Sequence, residues 1–324
     1  MNRPLLEVLG TCVASLVAAT TLAAGNEFPV KPVRIIVPNP PGGTVELVAR
    51  SVGQVITPAL GQNVIVDLRP GGNNIIGSEI VARAPADGYT LMLAGTHLAL
   101  NPLVHKLPYD GLNAFSAVAG LAATATLFAV HPSVPVKTVH ELIALARTKP
   151  GELNYASSTV GSAIHLAAVR FQSLAKISMN YVPYQGGIQA VMSVVSGHAG
   201  VAVAPVSDAA PFVISGRLRP LAVTSAQRFA LMKDVPTLAE SGFPGFESVQ
   251  WFGAVAPAGT PKPVIGRLSA EMLRALENAE LRSNFARLGI VTMTMDGPQF
   301  DALVRSEMRT FQAIIRDANL KLGE

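Results

Sequence analysis

The chain has 324 residues, of which 49% are hydrophobic and only 14% are charged, and its formal net charge is +4. This length is sufficient for two domains of ordinary size, each with its own core. The charge excess is small, no run of Lys or Arg stands out, and 6% of residues are aromatic. These features exclude an electrostatic surface for nucleic acid.

Residues 1–24 predict a secretory signal peptide. After Glu7 the segment VLGTCVASLVAATTLAA is uncharged and ends in small residues, so cleavage is expected near Ala23 to Gly25. A membrane anchor and a lipid attached to Cys12 are the alternatives; the apolar run is short for a membrane span, and Thr11 is a poor residue before a lipidated cysteine. We expect a periplasmic mature chain without cysteine, and so without disulfides.

The region from Val33 alternates β-branched runs with helical patterns. VRIIVP precedes a helix that ends at Gly61; NVIVDL, the turn RPGG, a helix to about Ala84 and the run TLMLA follow. A second series begins near Pro135 with a capped helix, ELIALAR, and contains the runs LNYAS, MNYVP, GVAVA and RPLAVT with helices between them. The strand ESVQWFGAVAP and further helices complete the chain. This alternation predicts an α/β fold with a largely parallel sheet and a ligand cleft between two domains.

Two uncharged loops stand where a strand is expected to give way to a helix. NPPGGT follows the first strand, and SSTVGS follows the strand LNYA in the second series. Ligands of open α/β sheets bind at such helix starts, because free N–H groups and the helix dipole attract anions. Glycine lets a ligand oxygen approach the backbone. The loops therefore predict a carboxylate site, although a tight structural turn explains NPPGGT equally well on its residues alone.

Catalysis and metal binding are the competing hypotheses. Ser158, His165 and Asp208 are the components of a hydrolase triad, but the chain has no G-x-S-x-G elbow. His97 and His105 have no carboxylate at metal-ligand spacing. We therefore expect no enzyme activity, no cofactor and no metal site.

Six separated segments carry a family resemblance. They are FPVKPVRIIVPNPPGG, LRPGGNNIIGSEIVARAPADGYTLM, NYASSTVGSAIHLAA, YVPYQGG, RLRPLAVTSAQR and DVPTLAESGFPGFESVQWFGAVAPAGTP. In this order they resemble the substrate-binding proteins of tripartite tricarboxylate transporters, the Bug family. The resemblance implies a two-domain fold like that of type II periplasmic binding proteins. It implies a first domain of residues 28–130 and 247–324 and a second domain of residues 131–246.

The resemblance also implies a function and a set of site residues. The function is capture of a small carboxylate, such as a di- or tricarboxylate, by a monomeric periplasmic receptor that delivers it to membrane permease subunits or signals to a sensor domain. In the first domain the implied ligand-binding residues are Asn39, Pro41, Gly42, Gly43 and Thr44, with Thr96 and His97 at the end of a nearby strand. In the second domain they are Ser157, Ser158, Thr159, Gly161, Ser162, Tyr184, Gly186 and Gly187, with Pro205 and Asp208 in a turn from Pro205 to Asp208.

Four positions depart from the family pattern. Glu46 stands where Asp is usual, Gln185 where a base is frequent, and Gly200 and Ala204 where acidic residues are common. We expect these departures to change the polarity and the rim of the pocket. The ligand's identity and the choice between a permease and a sensor stay open.

Overall fold

The computed structural model describes residues 28–317. In chain order, the strands and helices are β1 (Val33–Val37), α1 (Thr44–Leu60), β2 (Val64–Leu68), α2 (Ile75–Ala82), β3 (Thr90–Gly95), α3 (His97–Val104), β4 (Phe115–Val130), α4 (Val139–Thr148), β5 (Asn154–Ser157), α5 (Ala163–Ala175), β6 (Asn180–Pro183), α6 (Gly187–Val195), β7 (Val201–Pro205), α7 (Val206–Ile214), β8 (Arg219–Val223), β9 (Val249–Pro257), α8 (Lys262–Ala275), α9 (Ala279–Arg287), β10 (Val291–Asp296) and α10 (Gly297–Asp317).

The strands form one sheet with the order β2-β1-β3-β9-β4-β7-β5-β6, and β8 and β10 also pair with β4. β1 pairs in parallel with β2 and β3, and β5 pairs in parallel with β6 and β7. β9 is antiparallel to β3 and β4, and β4 is antiparallel to β7 and β8. The sheet is therefore mixed, and the expectation of a largely parallel sheet holds for each group of three strands.

The 16-residue strand β4 joins the two halves of this sheet. Its first part, to Ala125, pairs with β9 and β10, and its second part, from Thr126, pairs with β7 and β8. We call the elements around β1–β3 the first lobe and those around β5–β8 the second lobe. The predicted α/β fold is confirmed. The residue boundaries of the two domains stay a prediction.

Each half of the sheet is covered on both faces. In β1, Val33, Ile35 and Val37 pack with α1 and α8, whereas Ile36 packs on the opposite face with α2, α3 and α10. This alternation follows from the two-residue period of a strand. The second lobe has a core on the α4 and α5 face and another on the α6 and α7 face. The sheet thereby holds its strand ends, and the helices that follow them, in fixed positions.

Most predicted elements lie where the sequence patterns indicated. Gly61 ends α1 in the left-handed conformation with φ of 64°, and Thr138 caps α4 by accepting the N–H of Glu141 at 3.1 Å. Three elements were not predicted: α3, β4 and β10. The predicted signal peptide lies outside the described residues. Within residues 28–317, no helix combines the length and the apolar character needed to cross a membrane.

Candidate ligand cavity

A cavity of about 190 Å³ lies between the two lobes. At roughly 15 Å³ for each water-sized group, it has room for about a dozen non-hydrogen atoms. First-lobe residues such as Thr44 and second-lobe residues such as Ser162 both line it. The cavity is therefore the cleft that the alternating pattern predicted.

Six helices begin at the cavity wall. Each contributes its capping residue, and these are Gly43 of α1, Asn74 of α2, Thr96 of α3, Ser162 of α5, Gly186 of α6 and Pro205 of α7. All except α5 lack a side-chain hydrogen bond at the cap. Free N–H groups and six positive dipole ends thus face one small volume.

The start of α1 is already occupied by carboxylates of this chain. Glu46 accepts the N–H of Gly42 at 2.8 Å and pairs with Arg50 at 2.7 Å. The bond from Gly42, opposed by partial burial and aided by Arg50, lowers the pKa of Glu46. From the second lobe, Asp208 accepts the hydroxyl of Thr44 at 2.9 Å and also bonds the backbone of Thr44.

The start of α5 has only neutral partners. Ser162 accepts the N–H of His165 at 3.1 Å, and its hydroxyl lies 2.7 Å from that of Ser158. The ring of His165 in turn accepts the N–H of Gly161 at 3.3 Å. Gly161 has φ of 72°, a left-handed conformation that glycine adopts without strain. This helix start therefore presents hydroxyl groups to the cavity, together with a helix dipole that no carboxylate compensates.

Three hydrogen bonds among the described residues cross the cleft. Thr44 bonds both Ser207 and Asp208, and the hydroxyl of Thr159 donates to Asn73 Oδ1 at 2.7 Å. They belong to two groups of lining residues: Asp208 lies with the starts of α1, α6 and α7, whereas Asn73 lies with those of α2, α3 and α5. We call these groups the acidic end and the neutral end of the cavity.

Charge in the cavity is confined to the acidic end. No Lys or Arg is among the described residues that line it. Burial raises the pKa of Asp208 to about 6, against the opposing effect of the bonds from Thr44. Burial also lowers the pKa of His97 to about 4, so its ring is neutral near pH 7. Among the described residues that line the cavity, Asp208 is therefore the one with a charged side chain at neutral pH, and its charge is negative.

Several buried polar atoms at the wall have no hydrogen-bond partner in the described part of the chain. They are Gln250 Nε2, Asn101 Oδ1, His97 Nε2 and Asn39 Oδ1. Because a buried polar atom without a partner costs about 1–3 kcal/mol, such atoms in a cavity wall are ready to bond a ligand. They include both donors and acceptors, so the wall can accommodate a ligand with more than one kind of polar group.

Thirteen of the seventeen predicted site residues line the cavity. They are Asn39, Gly43, Thr44, Thr96, His97, Ser158, Thr159, Gly161, Ser162, Gly186, Gly187, Pro205 and Asp208. Pro41, Gly42, Ser157 and Tyr184 are not among the lining residues. The N–H of Gly42 is taken by Glu46, and Tyr184 lies at a separate shallow pocket beside α6. Binding by the thirteen residues stays a prediction.

Two local expectations were wrong. Thr96 and His97 do not end a strand: β3 ends at Gly95, Thr96 caps α3, and His97 is its first residue. The segment from Pro205 to Asp208 is not a turn, because α7 begins directly after β7.

The sequence analysis missed part of the wall. The segment from Gly71 to Asn74, which begins inside the predicted turn RPGG, lies at the cavity, and so does Gln250 on strand β9. Asn73 and Asn74 have positive φ angles of 52° and 72°, which Asn tolerates better than most residues. The signal for this loop was its position after β2, at the same edge of the sheet as NPPGGT.

The four family departures lie in different surroundings. Gln185 lines the cavity, as expected for a rim position, and Glu46 acts on α1 as described above. Gly200 and Ala204 do not line the cavity: Gly200 bonds Asn154 beside β5, and Ala204 is buried in the α6 and α7 core. The expected effect of these two positions on the polarity of the pocket stays a prediction.

The hydrolase hypothesis finds no assembled triad. His165 bonds the backbone of Gly161, and Asp208 bonds Thr44 in the other lobe. None of the described hydrogen bonds joins His165 to Ser158 or to Asp208, and burial lowers the pKa of His165 to about 4. Within residues 28–317, no group of three His, Cys, Asp or Glu side chains is placed to hold a metal ion.

Comparison with known proteins identifies the family. The family model described as "Tripartite tricarboxylate transporter family receptor" matches residues 48–320. The chain belongs to this family. Protein BugT of Bordetella pertussis is 30% identical, and the match covers 98% of this chain and 98% of BugT.

Solved structures of the family have the same fold. Rpa4515 of R. palustris, determined with adipate, matches with a TM-score of 0.88 and 29% identity, covering 92% of this chain and all of that one. MatC from Rhodopseudomonas palustris, determined with bound malate, matches with a TM-score of 0.81 and 27% identity, covering 89% of this chain and all of that one. The predicted membership of the Bug family of solute receptors is confirmed.

Proposed function

We propose that this protein is a periplasmic receptor that captures a small organic acid in the cavity between its lobes and delivers it to a tripartite-type permease. The observation that carries the proposal is the convergence of six helix starts on one small cavity without a lining Lys or Arg among the described residues. Backbone dipoles of this kind bind anions. The adipate and malate bound to two similar receptors support a carboxylate as the ligand.

The start of α5 is the best place for the ligand's carboxylate. Its cap is the neutral Ser162, and Ser158 adds a second hydroxyl within the same turn. Hydrogen bonds to a charged group contribute about 1.5–3 kcal/mol each, so a few of them suffice for tight binding. The start of α1, by contrast, already faces Glu46 and Asp208.

Thermal unfolding with a panel of mono-, di- and tricarboxylates, amides and aromatic acids tests the proposal. An acid at about 100 times its dissociation constant should stabilise the protein by roughly 2.7 kcal/mol. Trp251 offers a second readout, since it is buried on β9 next to the lining residue Gln250 and packs against Phe300. We expect its emission to change on binding; a panel without any stabilising acid would contradict the proposal.

Delivery to a permease is tested in cells. Deletion of the receptor gene should abolish uptake of the acid found by the panel, and the intact gene should restore it. The predicted signal peptide supports export to the periplasm. Uptake that continues unchanged without the receptor, while a transcriptional response to the acid is lost, would favour the sensor hypothesis instead.

A further inference from the structure

Asp208 is the feature of the cavity that capture of a dicarboxylate does not explain. It is buried, with 7% of its surface exposed, and it is the single charged side chain among the described lining residues at neutral pH. A second carboxylate of a ligand at this end would face another negative charge. Like charges placed a few ångströms apart in a buried site repel strongly.

The position of Asp208 is defined by three helix starts. It lies in the first turn of α7, where an acidic residue is favoured by the dipole, and its Oδ1 accepts the hydroxyl of Thr44 at the start of α1. Its Oδ2 lies over Gly187, the first residue of α6, where a Cβ atom would overlap it. The carboxyl group thus occupies the region in which these helices would otherwise attract a ligand's anionic group.

The neutral end of the cavity differs from the acidic end in its charge. Around Ser158, Ser162 and Asn73 the described lining residues carry no charge, and the α5 dipole is not compensated. A ligand that extends between the ends would therefore place its carboxylate at the neutral end. At the acidic end it would be favoured to carry a hydrogen-bond donor.

We propose that Asp208 is a specificity-determining residue that selects an acid with a donor group, best an ammonium, at the end opposite its carboxylate, and rejects a dicarboxylate of the same length. The proposal rests on the proposed function and names the ligand class of the same cavity. A donor near Asp208 gains a charge-assisted bond, whereas a second carboxylate loses one and adds repulsion. The receptor is accordingly selective for ω-amino acids, whose ammonium and carboxylate lie at opposite ends of the molecule.

Groups packed near Asp208 leave its charge uncancelled. On α1, Glu46 is paired with Arg50; α6, β4 and β7 carry no titratable side chain; and Arg219 of β8 donates to the carbonyls of residues 134 and 136. His97, the other titratable side chain of the wall, is neutral above about pH 4. Between pH 5 and 8, Asp208 is therefore the cavity group whose charge changes.

Calorimetry with matched four- and six-carbon acids tests the proposal. The six-carbon set is 6-aminohexanoate, the monoamide of adipate, hexanoate and adipate, and the four-carbon set is 4-aminobutyrate, the monoamide of succinate, butyrate and succinate. At pH 8 we expect the ammonium acid of at least one set to bind more than about tenfold tighter than its dicarboxylate. In Asp208→Asn this preference should fall by at least about tenfold, because the amide neither attracts an ammonium nor repels a carboxylate.

The pH dependence of the native protein provides a measurement that does not need the variant to fold. As the pH falls from 8 to 5, Asp208 gains a proton, so dicarboxylate affinity should rise relative to the ammonium acid. Where Asp208→Asn is folded, the relative change should be smaller, because only the carboxylates of the ligand then titrate; the difference between the two proteins is the part due to Asp208. If both sets show no preference, so that adipate binds as tightly as 6-aminohexanoate and succinate as tightly as 4-aminobutyrate, this inference alone is overturned. Absence of binding by every acid would overturn it together with the proposed function.

Discussion

The starts of α1 and α5 have similar sequences, yet their electrostatic surroundings are opposite. NPPGGT and SSTVGS are both uncharged, contain glycine and lie at the cavity. At α1, the carboxylates of Glu46 and Asp208 are already bonded to the helix start. At α5, Ser162 and His165 provide a neutral cap.

A helix start is an anion site only while its positive charge is uncompensated. The dipole acts within the first turn, so an internal carboxylate there removes much of the attraction for a ligand. The sequence analysis assigned the same role, binding of a carboxylate, to both loops. The long-range contact between Thr44 and Asp208, 164 residues apart, is what distinguishes them.

The largest expected effect comes from removing the charge at the α1 end. Asp208 has a pKa of about 6 in the folded protein against an ordinary value of 3.8. Protonated Asp208 favours folding, and this contribution is complete below about pH 4 and is lost as the pH rises through 6. Asp208→Asn should therefore raise the free energy of unfolding above pH 6 by up to about 3 kcal/mol.

Urea unfolding of the native protein and of Asp208→Asn at pH 4 and pH 8 measures this difference. At pH 4 the two proteins should differ much less than at pH 8, because Asp208 is then protonated in the folded state and partly protonated in the unfolded state. Taking the difference between the proteins removes the contributions of other shifted groups such as Glu307, whose pKa is also raised by burial. A variant that is less stable than the native protein at pH 8 would contradict the burial argument.

Gly187→Ala tests how tightly the acidic end of the cavity is packed at the start of α6. A Cβ atom at Gly187 would overlap Asp208 Oδ2 and stand 2.6 Å from Pro205 Cδ, so the carboxyl group or the chain must move. Overpacking of this kind costs about 1–3 kcal/mol. The adjacent Gly186→Ala is the matched control, since its Cβ would be 4.0 Å from Pro40. Equal thermal stability of the two variants would show that the acidic end is not tightly packed.

Much of the fold could be predicted from the sequence, but its longest strand could not. The runs VRIIVP and TLMLA are rich in branched or apolar residues and gave β1 and β3 directly. Strand β4, FSAVAGLAATATLFAV, is rich in Ala, whose strand preference is low, and it is almost wholly buried along both faces. Its pairing with β7, β8, β9 and β10 stabilises it, and such contacts leave no local pattern.

The sequence could predict those cavity residues that lie in a loop directly after a strand. The loops after β1 and β5 were found in this way, and the same argument applied to β2 would have found Asn73 and Asn74. Gln250 could not be found, because it lies at the beginning of strand β9 rather than directly after a strand. The effect of Asp208 on the start of α1 likewise could not be predicted, because it depends on which residues of the other lobe Asp208 contacts.

A smaller effect is expected at the start of α5, where a substitution of Ser162 can separate its role as a helix cap from its role in binding the acid. Ser162→Ala removes the acceptor for the N–H of His165 and should lower the free energy of unfolding by about 1 kcal/mol. It should also weaken acid binding, because Ser162 lines the cavity. Thr138→Ala is the control: it removes an equivalent cap from α4, away from the cavity, so stability should fall similarly while calorimetric affinity is kept. Unchanged affinity in Ser162→Ala would move the carboxylate away from this helix start.

The smallest effect is expected from replacing arginine residues. This test distinguishes binding by backbone dipoles from binding by an ion pair. Arg50 pairs with Glu46 at 2.7 Å, Arg69 pairs with Asp67 at 3.2 Å, and Arg219 donates to two carbonyls of residues 134 and 136. None of the three lines the cavity. Each change to Gln should therefore leave the affinity for a bound acid within about tenfold, or 1.4 kcal/mol.

Amidation of the same acid provides the contrast. The neutral amide loses its attraction to the dipole at α5 and at least one charge-assisted bond, so its affinity should fall by clearly more than about tenfold. Circular dichroism of Arg50→Gln, Arg69→Gln and Arg219→Gln verifies that each variant is folded before affinity is compared. A hundredfold loss in any one of these folded variants would mean that a cation reaches the ligand after all. The uncompensated start of α5 would then be only an accessory to that ion pair.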